Sequence, residues 1–154
     1  MGGSRGGGDR RGNRFDAACA GGDDTQEGRD KTMKIIDARA FHIAVPYICG
    51  ADMLDNRPTQ DSVYIKLVLE DGVVGWGEAF GFASCEVTKF AFDTIIAPMV
   101  VGQTFEAPDA FVASLWRRTH GMSRSGPVAH AISGLEIALW DVLGKVRKRP
   151  LCAL

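Results

Sequence analysis

Hydrophobic and polar residues alternate along two stretches of the chain, and this alternation predicts β-strands. Residues 34–45 predict one strand with Ile35, Phe41 and Ile43 on the same face. Residues 61–80 predict two more strands, because every second residue in the first half of this stretch is apolar. The residues predicted to share the buried face of that half are Val63, Ile65, Leu67 and Leu69.

A tight turn is predicted at Asp71-Gly72, between the two halves of the second stretch. A two-residue type I′ turn requires positive φ at both central positions, which Asp and Gly tolerate. The first strand and this hairpin predict an antiparallel meander of three strands. Residues 46–60 contain turn formers without any period and predict a long loop, and such loops in compact domains are usually functional or mobile.

The hydrophobic period changes to a helical one after a second loop, at about residues 80–86. Residues 85–97 predict a helix that ends before Pro98, because the residue preceding a proline avoids the α region. Pro108 suits the first turn of another helix, 107–119. The buried stripe of this second helix is predicted to contain Phe111, Leu115 and Trp116.

The strongest helical pattern covers residues 127–147 and has apolar residues on two sides. One stripe follows 3.6-residue spacing and comprises Val128, Ala131, Ile132, Leu135, Ala138, Leu139, Val142, Leu143 and Val146. Ile137 and Trp140 lie on the opposite side, where a helix in a small isolated domain should be polar. This pattern predicts burial on two sides, with two incidentally exposed apolar residues as the alternative.

Residues 1–32 differ in composition from the rest of the chain. They contain nine of the 19 glycines together with six basic and six acidic residues. Their few apolar residues show no period, so this Gly/Arg/Asp-rich extension is predicted to be disordered. Residues 33–154 are predicted to form one α+β domain, a three-stranded antiparallel meander followed by a helical bundle.

The charge balance and the cysteines exclude several classes of protein. Eighteen Lys and Arg against 19 Asp and Glu leave a net charge of -1, which argues against a nucleic acid or an anionic membrane surface as the main partner. No apolar run approaches the roughly 18 residues of a membrane helix. Four scattered cysteines without a CxxC pair predict reduced thiols, a cytoplasmic location and no metal site. These cysteines are Cys19, Cys49, Cys85 and Cys152.

Two motifs resemble a known family. Gly-x-x-Gly-Trp-Gly-Glu at 72–78 and Ala-Leu-Trp-Asp-x-x-Gly-Lys at 138–145 are similar, in this order and spacing, to the N-terminal domain of the mandelate racemase/muconate lactonizing enzymes of the enolase superfamily. The resemblance covers residues 33–154. It implies a capping domain that precedes a (β/α) barrel, with the chain ending before the barrel begins.

The resemblance also implies a chemistry. Complete members bind Mg²⁺ through three carboxylates and remove the proton α to a substrate carboxylate with Lys or His bases. Barrel active sites lie at the C-terminal ends of the strands. No position of this chain matches those ligands or bases, so we expect no catalytic residue, bound metal or cofactor here. Complete members are expected to form homo-oligomers.

Substrate capping is the role that the resemblance assigns to the two loops, 46–60 and about 80–86. The residues proposed to line the substrate are Tyr47, Asp52, Met53, Leu54, Asp55, Arg57, Phe80 and Phe82. Glu78, Ile137 and Trp140 are proposed to contact the barrel. Solvated loops with incidental aromatic residues are the alternative interpretation for the loop positions. For Glu78 the alternative is an ordinary strand-end carboxylate.

Two functions therefore remain open. The first is the capping domain of a Mg²⁺-dependent racemase, cycloisomerase or sugar-acid dehydratase, inactive alone. The second is a non-catalytic remnant or interaction module that docks through the back face of its last helix. Sugar-acid dehydration is preferred within the family, because the first loop is long and mixes polar with apolar residues.

Overall fold

The computed structural model describes residues 32–46, 59–81 and 83–154. Most of the predicted N-terminal extension and residues 47–58 of the first predicted loop lie outside these ranges, and so does Phe82. The described residues form an α+β unit, as predicted, and contain no (β/α) barrel.

An antiparallel sheet of four strands carries helices on one face. The strands are β1 (Met33–Pro46), β2 (Thr59–Leu69), β3 (Val74–Ala79) and β4 (Thr104–Phe105). Their order in the sheet is β3-β2-β1-β4. The first three confirm the predicted meander. Strand β4 was not predicted, because two residues that pair only with Met33 and Lys34 leave no periodic signal.

The helices cover the sheet from one side. They are α1 (Cys85–Ala91), a π-helical turn (Phe92–Ile96), α2 (Ala97–Val100), α3 (Pro108–Arg118) and α4 (Pro127–Arg147), followed by a 3₁₀ turn (Leu151–Ala153). Both α3 and α4 confirm the predicted helices, each with proline in its first turn. The predicted stripe of α4 is buried from Val128 to Leu143.

The predicted helix end before Pro98 is wrong. Helical backbone continues through this proline to Val100. The π-helical turn lies immediately before it, and the Ala97 N–H donates to Phe92 O, five residues earlier. A wider turn moves backbone carbonyls away from the proline ring, whose clash with the preceding turn would otherwise end the helix.

The predicted face of β1 is also wrong beyond its first residues. Ile35 is fully buried, but Phe41 and Ile43 are 40% and 44% exposed. The register with β2 shifts between Ile35 and Asp37. A β-bulge inserts one residue and exchanges the two faces of everything that follows. Ala38 and Ala40 therefore face the helices, and Phe41 lies on the outer face with its ring 5.9 Å from that of Trp76.

The hairpin exists, but its turn differs from the predicted type I′. The Gly72 N–H donates to Leu69 O at 2.9 Å, so Glu70 and Asp71 occupy the centre of the turn. Gly72 has φ +82°, and Asp71 does not have a positive φ. A three-residue loop of this kind needs a left-handed residue only at its last position, where glycine is favoured.

Helix α4 approaches the backbone of β3 closely. A Cβ atom added to Gly77 would lie 2.1 Å from Gly134 O and 2.6 Å from the Ala138 N. One added to Gly75 would lie 2.5 Å from Ala138 O. These glycines let the helix reach the apolar residues of β2, all of which are buried as predicted: Val63, Ile65, Leu67 and Leu69.

Cys152 departs from the prediction of reduced thiols, since it is disulfide-bonded. The spacing of the four cysteines along the sequence does not indicate which of them would pair with Cys152. Cys85 is buried at the start of α1.

We predict that Gly77→Ala destabilises the chain by about 2 kcal/mol or more, because neither backbone atom facing the new methyl group can move independently of its element. The free energy of unfolding in urea measures this. Gly121→Ala is the matched control, because a Cβ at Gly121 meets nothing within 4 Å. If the two variants unfolded at the same urea concentration, this would contradict the close contact between α4 and β3.

Candidate functional site

One end of the sheet brings together the strand ends that flank the predicted capping segments. Strand β1 ends there at Pro46, which pairs with Thr59 at the start of β2. Strand β3 ends toward the same end of the sheet at Ala79, opposite Val63, four residues inside the start of β2. We call this the loop end of the sheet; α1 begins just after β3, at Cys85.

Of the residues predicted to line a substrate, the structure describes Phe80. Its side chain is 60% exposed, and its ring meets that of His130 edge to face, with centroids 4.9 Å apart. His130 lies near the start of α4, so the last helix supports the loop end. The others lie outside the described residues: Tyr47, Asp52, Met53, Leu54, Asp55, Arg57 and Phe82.

The segment after Phe80 is held tightly to α1. Thr88 is fully buried, and its hydroxyl donates to Phe80 O at 3.3 Å. The Ser84 N–H donates to Gly81 O at 2.6 Å. Ala83 has φ +53°, a left-handed conformation that costs an alanine roughly 1 kcal/mol. The backbone carrying Phe80 is therefore fixed by the first turns of α1.

His42 lies beneath the loop end, between two carboxylates. Its Nδ1 is 2.6 Å from Glu86 Oε1, and its Nε2 is 3.6 Å from Asp61 Oδ2. Glu86 belongs to the first turn of α1, and Asp61 to the start of β2. His42 belongs to the strand predicted over residues 34–45, but neither partner was predictable, because the bulge that turns it toward the helices has no sequence signal.

The described residues do not fit a Mg²⁺ or Zn²⁺ site. No group of three or more His, Cys, Asp or Glu in the described ranges is arranged to hold a metal ion. His120 lies elsewhere, with its Nδ1 3.2 Å from Arg117 O. The pair of carboxylates around His42 faces an imidazole rather than an open position for a cation. We therefore assign no metal-dependent step to these residues.

The back face of α4 borders an open groove of about 470 Å³. Ile137 is 51% exposed on its wall, and Trp140 is only partly exposed because it also packs on the core. Trp76 and Leu151 complete the apolar part of the groove. Glu78, the third residue proposed to contact the barrel, does not line it. Glu78 is exposed on the outer face of the sheet, opposite Tyr64.

The two sequence motifs contact each other along the edge of the sheet. Asp141 accepts a hydrogen bond from the Trp76 N–H at 2.8 Å, and Lys145 donates to Val74 O at 2.8 Å. Asp141 and Lys145 also form an i,i+4 ion pair on α4, at 2.6 Å. The pair therefore satisfies two backbone groups at the edge of β3.

The family follows from a comparison of the sequence with family models. The model described as "Mandelate racemase / muconate lactonizing enzyme, N-terminal domain" matches residues 35–154. The chain belongs to this family. Both motifs and their contact lie within the matched residues.

Relatives and solved structures agree with this assignment. Arabinonate dehydratase from Saccharolobus solfataricus is 27% identical over 92 residues, which cover 60% of this chain and 25% of the relative. A mandelate racemase/muconate lactonizing enzyme structure from Bordetella bronchiseptica RB50 has a TM-score of 0.66 at 27% identity, covering 79% of this chain and 32% of that one. A mandelate racemase/muconate lactonizing protein from Paracoccus denitrificans PD1222, complexed with magnesium, has a TM-score of 0.62 at 28% identity. The match covers 77% of this chain and 29% of that one.

The chain thus spans about a quarter of the length of that curated relative and about a third of the solved chains. The similarity to these family members lies in the capping domain. Within the described ranges, no helix combines the length and the apolar character needed to cross a membrane.

We predict that Asp141→Ala lowers the free energy of unfolding by about 1 kcal/mol, because the Trp76 N–H and Lys145 both lose an acceptor. Glu70→Ala is the control. It removes an exposed side-chain ion pair with Lys34 and leaves the hydrogen bond from the Glu70 N–H to Lys34 O in place, so stability should change by less than about 0.5 kcal/mol. Urea unfolding compares the two. A larger loss for Glu70→Ala would contradict a stabilising contact at the edge of β3.

Proposed function

We propose that this chain is the substrate-capping domain of a Mg²⁺-dependent enzyme that removes the proton α to the carboxylate of a sugar acid. The family match over residues 35–154 carries this proposal. The loop end supports it, because Phe80 is exposed on a backbone that α1 holds in place. A fixed, exposed apolar side chain at the same end of the sheet as the strand ends that flank residues 47–58 suits the selection of a substrate.

The family match supports a division of roles between two domains, with the catalytic groups in a barrel domain that in this family follows the capping domain. Among the described residues there is no group of three or more His, Cys, Asp or Glu that could hold a metal ion. Bound Mg²⁺ would supply charge stabilisation for the anion formed from the acid. The residues of the capping domain would exclude water and select among acids, and we expect the chain to be inactive alone.

Dehydration of a sugar acid is the preferred reaction within the family. Arabinonate dehydratase is among the relatives, and its name states that reaction and substrate class. The segment 46–60 offers Asp52, Asp55 and Arg57 for hydroxyl-rich substrates beside apolar Met53 and Leu54. We further expect the complete enzyme to be cytoplasmic and homo-oligomeric.

The test begins with the coding sequence downstream of codon 154. We expect an open frame encoding a barrel, and we expect the whole protein to dehydrate arabinonate or a related sugar acid only when Mg²⁺ is present. The 154-residue chain should show no turnover. A stop codon at that point, or turnover by the chain alone, would contradict the proposal.

Phe80→Ala in the whole enzyme should raise KM for the sugar acid several-fold with little loss of thermal stability, because the ring is mostly exposed. Phe90→Ala is the matched control, since Phe90 is an exposed aromatic residue on α1. Equal KM values for the two variants would remove the case for Phe80 in capping.

Docking through the back face of α4 is a second candidate function, and the groove favours it. Ile137, Trp76 and Leu151 expose apolar surface around it. We propose that the occupant is the barrel domain, which in this family would follow the capping domain in the same polypeptide. Trp140 packs partly against the core of the capping domain, and its remaining exposed surface lines the groove and would contact the barrel.

Apolar surface of this kind causes self-association when its partner is absent. We therefore expect the 154-residue chain to associate in sedimentation velocity, and Ile137→Lys to shift it toward the monomer. Met122→Lys is the control, because Met122 is similarly exposed outside the groove. A monomeric wild-type chain, or an equal shift for both variants, would contradict docking through this face.

A further inference from the structure

The outer face of the sheet, which the helices do not cover, carries a four-residue arrangement of charged and aromatic side chains. Tyr64 and Lys66 of β2 and Trp76 and Glu78 of β3 lie on this face, because the residues that alternate with them are buried toward the helices. Lys66 lies opposite Trp76, and Tyr64 lies opposite Glu78. The charged residues therefore occupy one diagonal of the arrangement and the aromatic residues the other. We call these four residues the outer patch.

The two charges of the outer patch are not paired with each other, although they lie on neighbouring strands. Lys66 Nζ lies over the Trp76 ring, 5.8 Å from its centroid. Arg39, which is opposite Lys66 on β1, has the same sign and pairs with Asp37 at 3.1 Å. Glu78 is exposed, and in the part of the chain that the structure describes its carboxylate has no ion-pair or hydrogen-bond partner. One cation and one carboxylate are thus open to a binding partner.

Apolar surface continues from the outer patch along β1. Phe41 lies beside the patch, with its ring 5.9 Å from that of Trp76, and Ile43 follows on the same face. Both side chains are exposed. Contiguous aromatic and apolar surface with charges at its margin is typical of a protein-binding surface.

The arrangement of the charges indicates which partner fits. A uniformly acidic partner would repel Glu78, and a uniformly basic partner would repel Lys66. A surface with one cation and one carboxylate at the same spacing complements both. The outer patch of a second copy is such a surface, since a two-fold symmetric contact places the same residues on both sides.

We propose that the outer patch joins two copies of this chain around a two-fold axis that runs along its aromatic diagonal. Such an axis exchanges the two charges, so Lys66 of each copy approaches Glu78 of the other. Tyr64 and Trp76 lie near the axis and pack against their equivalents, where aromatic pairs add to the apolar burial. The contact thus has two ion pairs around an aromatic centre.

Sedimentation velocity of the 154-residue chain tests the proposal. The Ile137→Lys variant is the parent, because it removes the association expected through the groove on α4. We expect this parent to form a reversible dimer with a micromolar Kd, as is usual for small interfaces. Lys66→Glu or Glu78→Lys, added singly, places like charges together at both contacts and should weaken the dimer by about tenfold or more.

A mixture of the two single variants is the decisive sample. Lys66→Glu supplies carboxylates at both charged positions, and Glu78→Lys supplies lysines at both. The two chains should therefore form a heterodimer about as stable as the parent dimer, although each associates weakly alone. The double variant Lys66→Glu/Glu78→Lys should also regain the dimer.

Glu106→Lys is the matched control, because it changes the net charge by the same amount as Glu78→Lys. Glu106 is exposed just after β4, at the opposite edge of the sheet, so this variant should dimerise as the parent does. Circular dichroism checks that every variant is folded.

A parent chain that stays monomeric, or a mixture of the single variants that does not form the heterodimer, would overturn the proposal. Association that ignores the charge changes would also overturn it, since it would indicate another occupant, such as a further domain of the same polypeptide. These outcomes do not depend on enzymatic activity. The sugar-acid turnover of the whole enzyme and the effect of Ile137→Lys on the wild-type chain are measured separately, so the proposals fail separately.

Discussion

The contact between helix α4 and the backbone of β3 is the constraint on which the rest of the fold depends. Two glycines of β3 leave no side chains between the helix and the strand, so the apolar stripe of α4 lies directly over the sheet. The same approach brings Asp141 and Lys145 to the edge of β3, where they bond Trp76 and Val74. It also sets the start of α4, and with it His130, beside Phe80. The position of α4 on β3 therefore determines the packing of the core, the bonds at the edge of β3 and the support of Phe80 at the loop end.

Both sides of the meander use one device to satisfy strand backbone. At β3, Asp141 accepts from a strand N–H and is held by Lys145, four residues later. At β1, Asp93 accepts from the Ala40 N–H and is held by Lys89, four residues earlier. Unpaired strand edges invite other strands to add to the sheet. In each case a lysine orients the carboxylate, which accepts a hydrogen bond from the strand N–H. The ion pair also places charged groups at the strand edge.

Periodicity predicted the parts of this fold that are regular. The buried face of β2, the bounds of α4 and the meander followed from alternation and 3.6-residue spacing, and the two motifs indicated the family. Local departures from regularity were not predictable. The bulge in β1 reversed the face expected for Phe41, and the π-helical turn carried the helix past Pro98. The environment of His42 was missed for the same reason, since it depends on the bulge and on residues far away in sequence.

The device at the sheet edges has a consequence for synthesis on the ribosome. Asp141 lies 65 residues after Trp76, and Asp93 lies 53 residues after Ala40. The three long strands are therefore translated well before the carboxylates that cover their edges. During that interval the nascent meander has open backbone donors and an apolar face without helices, which is the state in which chains aggregate or recruit chaperones. Helix α4 is synthesised after the hairpin and covers its edge only once Asp141 has been translated.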